Sequence, residues 1–194
     1  MLAGTLALFS FQISAAVVFQ DNFDAEGLGS ILSYSAFSNW SVTAGEVDII
    51  AHGGFSIGCA GAAGSCVDMD GTSTEAGTLT SLALIGAGSY VLSFDVSGNQ
   101  RNGPMDSMTV IFGDLNETIS LAAADPFQTI TRNVTVGPGG ANIVFARGDT
   151  GQDQLGLILD NVLVETSEAT SVNAPGTLLL LFSALAFLAS RRNR

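Results

Sequence analysis

The side chains of this chain that could take part in chemistry are its carboxylates, one histidine and two cysteines. The 18 Asp and Glu residues are spread along the sequence, and no two stand in a recognisable glycosidase context, which requires two acids held at a set separation. His52 stands in Ala-His-Gly-Gly, and no Gly-x-Ser-x-Gly or similar nucleophile motif accompanies it. The sequence therefore predicts a non-catalytic protein in which His52 is an exposed turn residue.

Cys59 and Cys66 bracket a short loop that is rich in glycine and alanine. In an exported protein an even pair of cysteines predicts a disulfide. Because the closed loop is short, we expect the bond to contribute on the order of 2–3 kcal/mol at most. The alternative is two buried free cysteines on different strands. Zinc is not expected, because His52 is the only histidine and two thiols do not complete a tetrahedral site.

The charge of the chain limits the partners that it can have. The net charge is −12, the only basic residues are six arginines, and three of those lie at the C-terminal end. Such a surface repels phosphates, which argues against a nucleic-acid partner. It suits calcium, neutral sugars or cationic surfaces. Plain solubility in an extracellular, saline setting explains the same charge equally well.

Residues 1–16 have the pattern of a signal peptide, in which an apolar core ends in small residues. Cleavage after Ala16 places Ser14 and Ala16 at the two positions where signal peptidase requires small side chains. This pattern predicts export. The alternative is that the segment forms a buried first strand.

The C-terminal segment, residues 175–194, contains an apolar run followed by arginines. The run would form a helix of about 21 Å, shorter than the ~30 Å hydrocarbon core of a bilayer, so it predicts transient membrane insertion. The arginines favour the cytoplasmic side and leave the body outside. The residues that begin and end this pattern are Ala174, Pro175, Gly176, Arg191, Arg192 and Arg194.

This layout resembles the PEP-CTERM sorting signal of Gram-negative bacteria. In that family a Pro-Glu-Pro motif, an apolar helix and an arginine cluster are recognised by an exosortase, an intramembrane processing enzyme. The present motif is Ala-Pro-Gly-Thr, with one proline and no glutamate. The resemblance implies an exosortase-type partner, transient insertion in the inner membrane, and delivery to the cell surface or extracellular matrix. The alternative is a simple tail anchor.

The body, residues 17–165, alternates apolar and polar residues between Gly, Asn, Asp and Ser turns, and a polar linker follows at 166–174. This period of two predicts many short strands and an all-β sandwich or barrel. Residues 40–43 and 46–50 look like a hairpin around Ala44-Gly45. The other expected strands lie at 17–19, 89–96, 108–112, 129–136, 142–146 and 157–164.

Several segments of the body resemble the galactose-binding-like jelly rolls, which include carbohydrate-binding modules. These segments are Asn22-Phe23-Asp24, 40–48, 66–72, 86–94 and 156–162. The resemblance implies an antiparallel β-sandwich of jelly-roll type. It also implies a structural calcium bound by Asp24, Glu26 and Asp160 with backbone carbonyls. The alternative is that Asp160-Asn161 only forms a turn or an edge contact.

The one tryptophan and the two tyrosines mark a sugar-binding face poorly. Trp40 and Tyr90 lie in alternating patterns that predict core positions, whereas Tyr34, between two serines, is the freest. The sequence as a whole predicts a non-catalytic, surface- or matrix-targeted module associated with polysaccharide. The alternatives are a secreted carbohydrate-active enzyme and a purely structural matrix protein without a specific ligand.

Overall fold

The computed structural model describes residues 14–27, 29–72, 75–148 and 153–167. The predicted sorting segment, most of the predicted signal peptide and the end of the predicted linker lie outside these described residues. Within them, no helix is long and apolar enough to cross a membrane. The described chain is all-β and consists of two antiparallel sheets, which confirms the predicted fold class.

The described residues contain eleven strands and three single turns of 3-10 helix. The strands are β1 (Val17–Asp21), β2 (Trp40–Ala44), β3 (Asp48–Ala51), β4 (Ser65–Asp68), β5 (Thr78–Ser81), β6 (Gly88–Ser97), β7 (Asp106–Phe112), β8 (Leu115–Leu121), β9 (Gln128–Val136), β10 (Val144–Arg147) and β11 (Ile158–Thr166). The 3-10 turns are Asp24–Glu26, Gly54–Ser56 and Ala60–Ala62.

The two sheets face each other across one apolar core. The six-stranded sheet has the order β3-β4-β11-β6-β9, with β1 also paired to β11, and the five-stranded sheet has the order β2-β5-β10-β7-β8. On β6, Leu92, Phe94 and Val96 point into the core while the intervening residues face outward. Phe145 of β10 meets Phe94 at 5.1 Å and Trp40 at 5.7 Å between ring centroids. This alternation leaves the outer face of β6 free to carry polar side chains.

The predicted hairpin around Ala44-Gly45 is wrong. β2 pairs with β5 in one sheet, whereas β3 pairs with β4 in the other, so the chain crosses between sheets at this point. Gly45 has a φ of 56°, and a Cβ there would lie 2.1 Å from the carbonyl oxygen of Ala76. Both segments form strands as expected, but their partners are distant in sequence, which a local pattern cannot show. β4, β5 and β8 were also not predicted.

A second, smaller apolar cluster lies on the outer face of the six-stranded sheet. It consists of Ile50, Ile57, Cys59, Cys66 and Ile158. The loop between β3 and β4 folds over this face, so β3 and β4 are covered on both sides and show no alternation of burial. The predicted disulfide between Cys59 and Cys66 is present and attaches the loop to β4.

Candidate functional site

A polar groove of about 580 Å³ runs along the outer face of the six-stranded sheet, beside the covered part. It exists because β1, β6, β9 and β11 alternate, which points every second side chain outward. The side chains that line it are mostly amides, hydroxyls and carboxylates. They belong to Gln20, Asp21, Asn22, Ala25, Asn39, Ser93, Asp95, Thr129, Asn161, Val162 and Leu163.

Asp95 is one of the two carboxylates that line this groove, and neighbouring strands hold both of its oxygens. The Thr129 hydroxyl on β9 donates to Oδ1 at 2.5 Å, and the Asn161 amide on β11 donates to Oδ2 at 2.8 Å. The three side chains therefore form a bridge across β9, β6 and β11. An oriented carboxylate on a rigid sheet can accept further hydrogen bonds from a hydroxylated ligand without losing much side-chain entropy.

A β-bulge in β11 places Asn161 in this bridge. The register with β6 steps from Asp160 opposite Asp95 to Leu163 opposite Ser93, which inserts one extra residue in β11. Asn161 takes up the irregularity with a φ of 48°, a left-handed conformation that asparagine tolerates better than most residues. β11 also changes partner here, from β4 before the bulge to β1 after it. The bulge thus places the Asn161 side chain on the outer face, where it lines the groove.

Asp160 lies beside the groove but is itself buried, with 3% of its surface exposed. Its Oδ1 accepts the backbone N–H of Asn161, and its Oδ2 accepts that of Ala60. The pKa of Asp160 is raised to about 7, chiefly by burial; the two backbone hydrogen bonds oppose this effect, and the charges of Asp24 and Asp95 add to it. Several acids therefore crowd this corner of the sheet.

The predicted calcium ligands do not form one set. Asp24 accepts the Ser65 N–H at 2.8 Å and lies close enough to influence Asp160. Glu26 instead accepts the Ser38 N–H at 2.8 Å and the Tyr34 hydroxyl at 3.0 Å. Its oxygens are thus engaged away from Asp160.

Elsewhere in the described chain the ligand geometry is no better for calcium. Among the described residues, one group of three potential metal ligands has its ligand atoms within 4.8 Å of one another. It consists of Cys59, Cys66 and Asp160. The two cysteines are joined in the disulfide, so this set offers one carboxylate. Calcium needs several oxygen ligands, and the calcium site remains a prediction that rests on Asp24 and Asp160.

Trp40, Tyr90 and His52 lie where the sequence predicts, whereas Tyr34 is not free, because it packs against the core and its hydroxyl donates to Glu26. None of the four lines the groove. Trp40 and Tyr90 are in the core, 1% and 8% exposed. Tyr34 is half-buried, with its ring against Phe37. His52 is exposed in a turn, where its Nδ1 accepts the N–H of Cys59. The groove therefore offers hydrogen bonds rather than a stacking platform.

Sequence reasoning missed Asp95, Thr129 and Asn161 as members of a site. The signal for Asp95 was available, because the alternation of 89–96 already assigns Ser93 and Asp95 to the face opposite the core. No comparable pattern identifies Asn161, because its orientation depends on the β-bulge in β11. Nothing local relates either residue to Thr129, which joins them through strand pairing.

Comparison with known proteins gives the fold alone. No protein-family model matches the sequence, and no curated protein matches it. Among solved structures, the K3 cleaved adhesin domain of Lys-gingipain from Porphyromonas gingivalis W83 is 17% identical with a TM-score of 0.52, covering 79% of this chain and 100% of that domain. An arabinose-bound α-L-arabinofuranosidase is 10% identical, also with a TM-score of 0.52, over 79% of this chain.

Carbohydrate-binding modules are also among the similar folds. One of them, a CBM61 module in complex with β-1,4-galactotriose, has a TM-score of 0.44 and 19% identity over 68% of this chain and 90% of the module. The chain spans only 26% of the arabinofuranosidase and 28% of a similar exo-β-1,3-galactanase. The fold of the described residues is thus one that the Lys-gingipain adhesin domain also adopts.

Proposed function

We propose that this protein is a non-catalytic module of the cell surface or extracellular matrix that binds a neutral polysaccharide in the outer-face groove. The observation that carries the proposal is the groove itself: about 580 Å³, open along the sheet and lined by planar amides and a bridged carboxylate. Planar groups of this kind hydrogen-bond to pairs of adjacent hydroxyls. A groove of this volume that is open to solvent can accept a segment of a longer chain.

The charge of the groove favours a neutral ligand. Asp21 and Asp95 line it, no cationic side chain does, and the whole chain carries −12. A uronic acid polymer would place its carboxylates against these groups. Because no aromatic ring lines the groove, binding depends on hydrogen bonds that compete with water, and we expect weak affinity for each sugar unit.

The carboxylates support binding rather than hydrolysis. Asp95 and Asp160 are direct cross-strand partners, but Asp160 is buried and its oxygens accept two backbone N–H groups. A glycosidase needs both acids to reach the scissile bond. A secreted carbohydrate-active enzyme remains the second candidate. The other carboxylate in the groove lining, Asp21, is buried, and its oxygens accept the Phe23 N–H and the Trp40 indole N–H.

Export and sorting are part of the same proposal and rest on the sequence of the two ends. The disulfide between Cys59 and Cys66 supports an oxidising compartment. The test is the location and the C-terminal mass of the mature protein in its host. Processing near Ala174 to Gly176 with recovery outside the inner membrane supports exosortase-type sorting. An intact C-terminus retained in the membrane would favour the tail anchor.

A glycan array together with a chromogenic glycoside screen tests the binding function. We expect retention of neutral glycans without turnover, and loss of retention in Asp95→Ala. The fold should tolerate this change because it removes a carboxylate that opposes Asp160. Asp153→Ala, at an exposed acid outside the groove, is the matched control. Turnover abolished by a single carboxylate change would establish the enzyme instead.

A further inference from the structure

A second, smaller cavity of about 190 Å³ lies against β3 and β4, away from the groove. One side of it is apolar and includes Leu32 and Phe55. The other side is polar and consists of Asp68, Thr72, Arg101 and Gln154 among others. The cavity shares no lining residue with the groove. It is thus a separate feature with one apolar and one hydrogen-bonding wall.

Phe55 occupies an unusual position for a large apolar residue. The residue is 53% exposed, and its backbone is left-handed with a φ of 49°, followed by Ser56 at 65°. Two consecutive non-glycine residues in this region are sparsely populated and persist only where the surroundings enforce them. The Phe55 ring is therefore exposed to solvent, and its backbone has a conformation that aromatic residues rarely adopt.

The loop around Phe55 is anchored on both sides, so this exposure is not fraying. A Cβ on Gly54 would lie 2.2 Å from the Ser30 hydroxyl, which shows how closely the loop packs there. Ile57 is completely buried in the outer apolar cluster, and its N–H donates to the Gly54 carbonyl. Cys59 then attaches the loop to β4 through the disulfide. Phe55 is presented as a fixed platform at the rim of the cavity.

The polar wall is centred on an ion pair. Arg101 donates from one terminal nitrogen to Asp68 Oδ2 at 2.6 Å and to the Gln154 carbonyl at 2.9 Å. Asp68 is 2% exposed, and the Arg101 side chain is 27% exposed. The Nε of Arg101 is buried and has no hydrogen-bond partner among the described residues. Because 27% of the Arg101 side chain is exposed and the residue lines the cavity, its guanidinium can still donate to a ligand there.

We propose that this cavity binds one ring of a neutral hexopyranose. A pyranose has a C–H face that stacks on an aromatic ring and hydroxyls at its edge that exchange hydrogen bonds with charged side chains. Phe55 supplies the platform and Arg101 a donor, while Thr72 and Gln154 line the same cavity with groups that can donate or accept. The volume is below the ~300–1,000 Å³ of typical small-molecule sites, which suits a single ring or a chain end rather than a polymer segment.

The charge of the site selects against acidic sugars. Asp48 and Asp68 line the cavity with one cation, Arg101, so a uronic acid would add a third carboxylate to this wall. This inference goes beyond the groove: it assigns a separate single-ring site and holds whether or not the groove binds a polysaccharide.

Saturation-transfer NMR on the isolated protein tests the proposal, with millimolar D-galactose, D-glucose, D-glucuronic acid and D-glucosamine as probes. We expect transfer to at least one neutral hexose and none to glucuronic acid. Phe55→Asn should weaken binding by about tenfold or more, because the platform is lost. Phe55→Tyr should retain it. Leu84→Ala, at an exposed apolar residue outside the cavity, is the control and should change nothing.

The melting temperature separates a binding role of Phe55 from a structural one. Asparagine tolerates a left-handed backbone better than phenylalanine, so Phe55→Asn should keep or raise the melting temperature while losing the sugar. A lowered melting temperature with unchanged sugar binding, or no transfer to either neutral hexose, overturns the proposal. Asp95→Ala should leave the hexose signal intact, so failure of this site and failure of the groove give different results.

Discussion

Asp160 on β11 lies directly opposite Asp95 on β6 in the antiparallel register, so two carboxyl side chains share the outer face of the six-stranded sheet. Like charges at directly opposed positions destabilise a strand pair. The structure relieves the conflict in two ways: Asp95 is bridged by Thr129 and Asn161, and burial with the nearby charges raises the pKa of Asp160 to about 7. Asp160 thus binds a proton more readily than an exposed aspartate does.

The free energy of unfolding should fall as the pH rises from about 4 to 7. A carboxyl group whose folded pKa lies above its unfolded value of 3.8 binds a proton more readily in the folded state, so stability is lost as that proton leaves. Asp68, with its pKa raised to about 7 chiefly by burial, acts in the same direction. We expect a loss on the order of 1–3 kcal/mol per group.

Urea denaturation at several pH values, with a chelator present, measures this dependence. Asp160→Asn should flatten the change in stability between pH 4 and pH 8, because it removes one of the two titrating groups. Asp153→Asn, at an exposed position, should leave the pH dependence as it is. If Asp160→Asn follows the same pH dependence as the unchanged protein, Asp160 does not titrate as the structure indicates.

Calcium should raise the melting temperature if a cation occupies the acidic corner. Asp24 and Asp95 both disfavour the charge on Asp160, and a divalent cation would offset that repulsion. At a hundredfold excess over its dissociation constant, calcium would add about 2.7 kcal/mol, or a shift of about 5–10 °C. Differential scanning calorimetry with calcium, magnesium and a chelator measures the shift.

Two substitutions distinguish the ligands of such a site. Asp160→Asn should abolish the calcium shift. Glu26→Gln should keep it, because the oxygens of Glu26 are held by Ser38 and Tyr34. A melting temperature that is identical in millimolar calcium and in chelator argues against the site altogether.

Asn161 should be difficult to replace by any residue other than glycine. Its left-handed backbone disfavours side chains with a Cβ by roughly 1–2 kcal/mol, and asparagine offsets part of this locally. We therefore expect Asn161→Ala to lower the free energy of unfolding by about 1 kcal/mol and Asn161→Gly to be nearly neutral. Chemical denaturation of both variants gives the comparison. Equal effects of alanine and glycine would indicate that the bond to Asp95, not the backbone, determines the cost.

Loss of the disulfide should weaken the loop and leave the sandwich folded. The bond closes a short segment, so replacing both Cys59 and Cys66 by alanine should cost about 2–3 kcal/mol. Both side chains also belong to the outer apolar cluster, not to the main core. Intact mass after alkylation, with and without reductant, establishes the pairing. Two free thiols in freshly isolated mature protein would contradict it.

Asp21 should be among the most sensitive polar residues. It is buried, its Oδ2 accepts the Trp40 indole N–H at 2.9 Å, and its Oδ1 accepts the Phe23 N–H at 2.8 Å. Asp21→Ala leaves both donors unpaired, which should cost about 2–4 kcal/mol. Asp21→Asn, which keeps one acceptor, should cost less. Trp40 is the only tryptophan, so its fluorescence reports the unfolding directly; equal losses in the two variants would contradict the argument.

The amino-acid pattern by itself determined the class of the fold and most of its core. Period-two alternation is a local property, and it correctly assigned Trp40 and Tyr90 to the interior and the strand at 89–96 to a half-buried sheet position. The pairing of Cys59 with Cys66 followed from their close spacing and number. In each case the sequence pattern that supports the prediction spans only a few residues of the chain.

The tertiary structure alone decided strand partners and therefore the sites. β2 and β3 follow each other along the chain but lie in different sheets, because β2 pairs with β5 and β3 pairs with β4. Asp95 and Asp160 are 65 positions apart and become neighbours only through the register of β11. The cavity beside Phe55 likewise joins β3, β4 and the loop that carries Arg101. Long-range strand pairing and one bulge determine these contacts. Both depend on residues that are far apart in the sequence, so no local pattern predicts them.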